Sequence, residues 1–257
     1  MRRKLTEHAA DYIQAFVRRV SNSNEFDFAV HLGDLIQDLD LETDRANLRK
    51  ALQLFKCSTK PLYHLIGNHD VKHLPLAEVL SELGYTTPYY SFDKGNWHFV
   101  FLFSEIPDQV VQKSIISEQQ FAWLKDDLLH TSYPVVVFCH HSLADQDLAG
   151  NPWFDGRPDA CLVENRSLVR DLFNSCGRVR CVINGHLHWN RVDLHSRIPF
   201  ITVQSATENF RDDGTPANSW AVLELGEESL GITVHGNDPM SYCSYIWGSH
   251  NAGGKDE

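Results

Sequence analysis

Residues 62–71 read LYHLIGNHDV, an apolar run that ends abruptly in a turn and three polar side chains. The run Leu62–Ile66 predicts a short buried strand. Gly67 predicts a sharp turn after it, and Asn68, His69 and Asp70 can each bind a metal ion, a proton or a phosphate. Turn residues after a strand are common by themselves. The stretch gains meaning only if other strands of the chain end in the same way.

Three further apolar runs do end in side chains that can bind a ligand. They are FAVHL before Gly33-Asp34, VVVFC before His140-His141, and CVIN before Gly185-His186-Leu187-His188. Ligands bind at the carboxyl ends of the strands in open α/β sheets, and parallel strands bring those ends to one edge. Each polar set alone is explained by turn formation or core packing. Their combination predicts one shared metal site.

The donor atoms of this site narrow the choice of metal. Carboxylate, amide oxygen and imidazole, without thiolate, favour Mn²⁺, Fe or Zn²⁺. His186 and His188 are two residues apart, so in an extended segment both point the same way and can bind one metal or two adjacent ones. Asn68 would bind through its carbonyl oxygen without adding negative charge. The site would then stay positive enough to attract a phosphate.

The order of elements predicts an α/β fold. Helical patterns cover residues 5–20, 44–57, 74–83, 118–130 and 164–175, and apolar strand patterns cover 28–32, 62–66, 97–103, 134–139 and 179–184. This alternation predicts a largely parallel sheet. After residue 184, the segments PFITV, WAVLEL and LGITV predict a second, mixed sheet. We expect residues 1–247 to form one domain and residues 248–257 to form a mobile polar tail.

Composition limits the partners and the compartment. The 257 residues are 42% hydrophobic with a net charge of −11, which supports a sizeable core and argues against duplex DNA or an anionic membrane as the main partner. A small phosphorylated substrate stays compatible, since a metal supplies positive charge locally. We find neither a membrane-spanning run nor the apolar core of a signal peptide. Six cysteines without a C-x-x-C pair predict buried free thiols in a reducing compartment, the cytoplasm.

The order GD…GNHD…H…GHLH resembles the calcineurin-like metallophosphoesterases. The stretches CHHSL and GHLHWNRVDLH…PFITVQSATEN are similar to the cyclic-nucleotide phosphodiesterase branch of that superfamily. The resemblance implies an αββα fold, which is a sandwich of two β-sheets flanked by helices, with two divalent metal ions at the strand ends. It also implies hydrolysis of a small phosphodiester, such as a cyclic nucleotide, by a metal-activated hydroxide. A phosphomonoesterase, or a catalytically weakened binding module of the same fold, stays open as an alternative.

The resemblance also implies a role for individual residues. Asp34 would bridge the two metals, and His188 would bind the second one. The remaining ligands of the first metal would be Asn68, His140 and His186. His69 would protonate the leaving oxygen, and Asp70 would orient the His69 ring. His141 and Asn184 would contact the substrate, unless His141 only packs and Asn184 only caps its turn.

The chain departs from the family at its start and after the Gly-Asp motif. The family has an Asp-x-His motif at the end of a first strand, and here Glu7-His8 is its nearest imitation, at the start of an amphipathic helix. We therefore expect the first strand to be missing and the second metal to bind weakly or not at all. The neighbouring strand would be left uncovered, which lowers stability or favours a homo-oligomer. Gln37 takes the last place of the family pattern Gly-Asp-x-x-Asp, and Asp38 follows it.

Overall fold

The computed structural model describes residues 3–107, 113–227 and 229–245, so the predicted tail at 248–257 lies outside the described residues. The helices are α1 Ala9–Asn22, α2 Leu41–Phe55, α3 Leu76–Leu83, α4 Glu118–His130 and α5 Arg166–Cys176. The strands are β1 Ala29–His31, β2 Leu62–His64, β3 Tyr90–Lys94, β4 Trp97–Leu102, β5 Val135–Cys139, β6 Val179–Asn184, β7 Arg191–His195, β8 Ile198–Thr202, β9 Trp220–Leu225, β10 Ser229–His235 and β11 Met240–Tyr245.

The strands form two layers. One is a six-stranded sheet in the order β3-β4-β5-β6-β8-β7, with antiparallel strands β3 and β7 at its edges and parallel pairing between. The other layer holds the parallel pair β1-β2 and the antiparallel set β11-β10-β9. The first two thirds of the chain therefore supply strands to both layers, whereas the sequence predicted one largely parallel sheet.

Alternation along β4 explains the layering. Phe99 and Phe101 enter an apolar core between the two layers, together with Ile183 of β6 and Ile232 of β10. Burying a large apolar side chain contributes about 1.5–3 kcal/mol, so a continuous core of this kind dominates the stability of the sandwich. The residues of β4 between them, Val100 and Leu102, face the opposite way and pack against helices α4 and α5. Phe55 of α2 packs against His31 and His64 of the β1-β2 pair, and α2 and α3 share an apolar cluster with Ile66, which follows β2. The αββα arrangement is confirmed.

Local sequence accounts for several helix ends. Ser117 accepts a hydrogen bond from the amide of Gln120 and starts α4 at the predicted residue. Asp40 does the same for Thr43 at the start of α2. Helix α3 ends at Gly84, which adopts the left-handed conformation that glycine favours. The segment around Glu7-His8 is a 3-10 turn leading into α1, so the helical interpretation of that segment is confirmed.

Two expectations need correction. The segment PFITV forms β8, which pairs in parallel with β6 in the large sheet, and does not belong to the second sheet. The cysteines are all free, but Cys57 and Cys243 are exposed rather than buried. Among the described helices, none combines the length and the apolar character that crossing a bilayer requires.

One edge of β1 is unpaired and borders a cleft in its layer. Among the described strands, β1 pairs only with β2, and β9 pairs only with β10. A cleft of about 1720 Å³ separates these two edges, and helix α1 lines it as well. This is the uncovered strand that the sequence predicts. The cleft reaches the loops that carry Asp34, His140 and His186.

Candidate metal centre

Four loops meet at one point between the two layers. His140 Nε2, after β5, lies 3.3 Å from Asp34 Oδ2, after β1. The same nitrogen lies 3.2 Å from Asn68 Oδ1, after β2, and 3.2 Å from His186 Nδ1, after β6. The predicted convergence is therefore observed. The strand ends come from two facing sheets, however, and not from the edge of one.

The four atoms that meet there are all hydrogen-bond acceptors when the two histidines are neutral. His140 Nδ1 lies 2.7 Å from the carbonyl oxygen of Leu32, to which it can only donate, so its Nε2 carries a lone pair. His186 Nε2 likewise donates to the carbonyl oxygen of Ala160 at 3.2 Å, which leaves a lone pair on Nδ1. Asp34 Oδ2 is buried without a hydrogen-bond partner. Lone pairs held this close repel one another, and a cation among them removes the repulsion.

The protonation states of Asp34 and His186 suit such a cation, whereas His140, whose pKa is raised, would bind it in the neutral form. Burial alone would raise the pKa of Asp34, but His140, His69 and His186 hold that pKa well below its ordinary value. Burial, with His141 and His140 nearby, holds the pKa of His186 well below its usual range. Burial lowers the pKa of His140 too, but Asp34 outweighs it and raises that pKa. At neutral pH Asp34 is therefore ionised and His186 is neutral. Asp34, His140 and His186 form a group that can hold a metal ion.

The backbone around the centre is strained. Asp34, His186 and His188 adopt φ angles of 56°, 60° and 56°, in the left-handed region that residues other than glycine rarely occupy. Such strain concentrates at functional sites, where the surrounding structure enforces it.

Two glycines allow the loops to approach so closely. A Cβ atom on Gly33 would lie 2.5 Å from His140 Nδ1, and one on Gly67 would lie 2.1 Å from Asp34 Oδ1. Any side chain at either position would push the loops apart. Asp70 completes the turn by accepting hydrogen bonds from the backbone amides of Asp34, Ile36 and Gly67. Burial, reinforced by Asp34, raises the pKa of Asp70 to about 7.

His69 lies at the rim of the centre, with Nε2 3.8 Å from Asp34 Oδ2. Its Nδ1 contacts the carboxylate of Asp38. The predicted partner, Asp70, is engaged with the three amides instead. Asp38 therefore takes the orienting position that the resemblance gave to Asp70. Asp38 was visible in the sequence only as an acidic residue one place beyond the family position.

His188 belongs to a neighbouring cluster. Its Nδ1 donates to Glu208 Oε2 at 2.6 Å, and Trp153 Nε1 donates to the same oxygen at 3.0 Å. Burial lowers the pKa of His188, which favours the neutral ring. Glu208 is fully buried, and its Oε1 has no hydrogen-bond partner. The sequence analysis missed Glu208, although it lies within the stretch that resembles the phosphodiesterase branch.

The two predicted substrate contacts are buried. His141 is 1% exposed and its Nδ1 lies 2.7 Å from Ser104 Oγ. The Asn184 side chain donates to the carbonyl oxygen of Gly185 and accepts from Thr202 Oγ1. Both side chains are engaged within the protein, and their contact with a substrate stays a prediction.

The chain is similar in sequence to known phosphodiesterases. It is 27% identical over 192 residues to a 3',5'-cyclic-nucleotide phosphodiesterase of Nostoc, covering 74% of this chain and 66% of that protein. It is 25% identical over 181 residues to a 3',5'-cyclic adenosine monophosphate phosphodiesterase of Haemophilus influenzae, covering 70% and 61%. The chain thus spans less than two thirds of the length of either relative.

A solved structure and a family model also match the chain. A dimetal phosphatase from Danio rerio superposes with a TM-score of 0.70 at 21% identity, covering 94% of this chain and 91% of that one, which shows a shared fold. The calcineurin-like phosphoesterase model matches residues 6–190. The chain therefore belongs to the calcineurin-like phosphoesterase family of hydrolases.

Proposed function

We propose that this protein is a metal-dependent phosphodiesterase that hydrolyses a small phosphodiester such as a 3',5'-cyclic nucleotide. The observation that carries the proposal is the cluster of four acceptor atoms formed by His140 Nε2 and its three neighbours on Asp34, Asn68 and His186. The two relatives named for cyclic-nucleotide hydrolysis support the substrate class.

The cluster would hold a divalent Mn, Fe or Zn ion through Asp34, Asn68, His140 and His186. When bound, such an ion supplies positive charge to a phosphate and lowers the pKa of a coordinated water. The protein contributes the geometry, because the carbonyl oxygens of Leu32 and Ala160 fix the two imidazole rings with their lone pairs inward. The neutral amide of Asn68 limits the negative charge that an anionic substrate meets.

His69 would supply the proton to the leaving oxygen. Its Nδ1 contacts Asp38, which orients the ring so that Nε2 faces the centre, 3.8 Å from Asp34 Oδ2 and 3.1 Å from Lys4 Nζ. Nε2 is thus the nitrogen that would donate a proton in the transition state. Asp70 would act indirectly, by holding the loops after β1 and β2 together through backbone amides.

The surroundings agree with a small soluble substrate. The net charge of −11 disfavours duplex nucleic acid and anionic membranes as partners. The six free thiols support a reducing compartment, and we place the protein in the cytoplasm.

The test is turnover of bis(p-nitrophenyl) phosphate by the purified protein with added Mn²⁺. We expect activity that EDTA abolishes and that His69→Ala lowers about 10²- to 10⁴-fold, the usual range for loss of a general acid. His130→Ala is the matched control, because His130 lies exposed at the end of α4. Faster turnover of p-nitrophenyl phosphate would favour a phosphomonoesterase. A folded, Mn²⁺-loaded sample without turnover of either ester would favour the binding module.

A further inference from the structure

Lys4 reaches the candidate metal centre from the start of the described chain. Residues Arg3 to Leu5 run antiparallel to residues Thr207 to Asn209. The amide of Asn209 donates to the carbonyl oxygen of Arg3 at 2.7 Å, and the amide of Leu5 donates to that of Thr207 at 2.9 Å. These two bonds fix the backbone on both sides of Lys4, and its side chain extends to the rim of the centre.

The Lys4 ammonium is held there by two uncharged groups. Lys4 Nζ donates to Gln37 Oε1 at 2.9 Å and to His69 Nε2 at 3.1 Å. His69 Nε2 accepts in the tautomer whose proton is on Nδ1, facing Asp38. When His69 acts as the general acid, Nε2 would carry a proton as well and this contact with Lys4 would be broken. An ammonium has three N–H groups, so these contacts leave one for an anionic ligand.

The charges around Lys4 favour a cation at this place. Burial lowers the pKa of Lys4, and Asp34, Asp38 and Glu208 oppose that shift because their charges favour the ammonium. The Trp153 ring centroid lies 5.5 Å from Nζ. Two of these carboxylates, those of Asp34 and Glu208, each have a buried oxygen without a hydrogen-bond partner. Negative charge of this density needs positive charge nearby, and Lys4 adds to the charge of Arg3, whose Nη1 lies 3.9 Å from Glu208 Oε1.

Gln37, which replaces the last aspartate of the family pattern Gly-Asp-x-x-Asp, fits this arrangement. Its Oε1 accepts from Lys4, while its Nε2 donates to Asp38 Oδ1 at 3.1 Å. The amide therefore bridges the ammonium and the carboxylate that holds His69. An aspartate at this position would lack the N–H that makes the second contact.

We propose that the Lys4 ammonium is a phosphate-binding group that supplies the second positive charge of the centre, beside a single metal ion. This inference rests on the proposed function, since the phosphate is that of the phosphodiester substrate. The free N–H of Lys4 binds a non-bridging phosphate oxygen next to His69. The cluster of His188 and Glu208 then stabilises the Lys4 ammonium, and the metal ion is held by the acceptor atoms of Asp34, Asn68, His140 and His186.

The test measures binding of inorganic phosphate to the Mn²⁺-loaded protein by calorimetry, together with the number of Mn²⁺ ions bound per chain. We expect Lys4→Met to weaken phosphate binding roughly tenfold or more, the loss expected for one charge-assisted hydrogen bond. Lys4→Arg keeps the charge and should stay within a few-fold of the wild type. Lys50→Met is the control, because Lys50 is exposed on α2. Each variant should bind one Mn²⁺ per chain.

Two results would overturn the inference. One is phosphate binding by Lys4→Met that equals the wild type in a sample with an unchanged circular dichroism spectrum. The other is uptake of a second tight Mn²⁺ by the wild type, which would show that the ammonium yields its place to a metal. Neither readout depends on turnover. A protein that binds phosphate through Lys4 but hydrolyses no ester would refute the proposed function and leave this inference standing.

Discussion

Gly67 is the residue at which the loops after β1 and β2 come closest. The position that a Cβ atom would occupy lies 2.4 Å from the Asp34 backbone nitrogen and 2.1 Å from its Oδ1, so an added methyl group displaces the carboxylate that faces His140. Position 33 requires glycine because of the same crowding and, in addition, because its φ angle is 94°. The metal centre therefore depends on two residues that offer no ligand atom.

We predict that Gly67→Ala weakens Mn²⁺ binding at least tenfold while the fold persists. Overpacking of this kind costs about 1–3 kcal/mol, which a folded domain tolerates but a centre held by four convergent loops does not. Calorimetric titration with Mn²⁺ measures the affinity, and urea denaturation measures the stability. Gly231→Ala is the control, because a Cβ there meets nothing closer than 3.7 Å. Unchanged Mn²⁺ affinity in Gly67→Ala would show that the loops have room to spare.

Residue types and their position after strands sufficed to predict the four acceptors. Asp34, Asn68, His140 and His186 each follow a recognisable apolar run, and strand ends converge in this class of fold. Asp38, Glu208 and Lys4 were not predicted. Asp38 lies one place beyond the family pattern, Glu208 lies in a stretch that carried the resemblance without being given a role, and Lys4 lies in a segment without a motif. Asp70 was given the wrong contact, since sequence adjacency to His69 carries no information about which way its side chain points.

At the scale of elements, His98 joins three of them. It lies on β4, and its Nδ1 contacts Asp93 Oδ1 of β3 at 2.6 Å while its Nε2 contacts Asp127 Oδ2 of α4 at 2.8 Å. Burial would lower the pKa of His98, but the two carboxylates outweigh burial and raise it above the ordinary value of 6.5. The protonated ring therefore ties the edge strand and the helix to the centre of the large sheet.

The sign of the resulting pH dependence follows from linkage. A histidine whose pKa is raised by folding stabilises the fold fully below its unfolded pKa of 6.5, and the contribution is lost as the pH rises through the folded value. We predict that His98→Gln destabilises the protein more at about pH 6 than at about pH 9. Urea denaturation of both proteins at the two pH values checks this, with His130→Gln as the exposed control. An equal loss of stability at both values would argue that His98 is neutral throughout.

Strands were predicted correctly where burial of both faces makes the sequence a continuous apolar run. Strands β4, β5 and β6 lie inside the large sheet and read as apolar runs, so their bounds were found within one residue. Strands β3, β7 and β11 were missed because they lie at sheet edges, where polar residues are accepted. The pairing of β8 with β6 was missed for another reason. It joins segments separated by the β7 hairpin strand, and local patterns do not encode such pairing.

At the scale of the whole molecule, several of the described strands, β1 and β9 among them, have one edge without a partner. The edges of β1 and β9 face the same cleft, and unpaired edges are sites of association between chains. The net charge of −11 opposes such contacts through mutual repulsion, which salt screens. Self-association should therefore depend on both protein concentration and ionic strength.

We predict that the weight-average sedimentation coefficient rises with protein concentration, and rises further when the ionic strength is raised from about 0.02 M to about 0.3 M. Sedimentation velocity measures this directly. A protein of similar mass that stays monomeric provides the control for concentration effects that do not come from association. A single sedimenting species of monomer mass at every concentration and salt level would show that the cleft protects both edges.

The central claim is that four acceptor atoms, His140 Nε2 and the three around it, hold one divalent cation. The most direct measurement is titration of the protein with Mn²⁺, followed by electron paramagnetic resonance of the free ion. We predict one tight Mn²⁺ per chain in the wild type and in His130→Ala, and loss of that tight binding in His140→Ala. A folded wild type that binds no Mn²⁺, or a His140→Ala variant that binds it as tightly as the wild type, would contradict the claim.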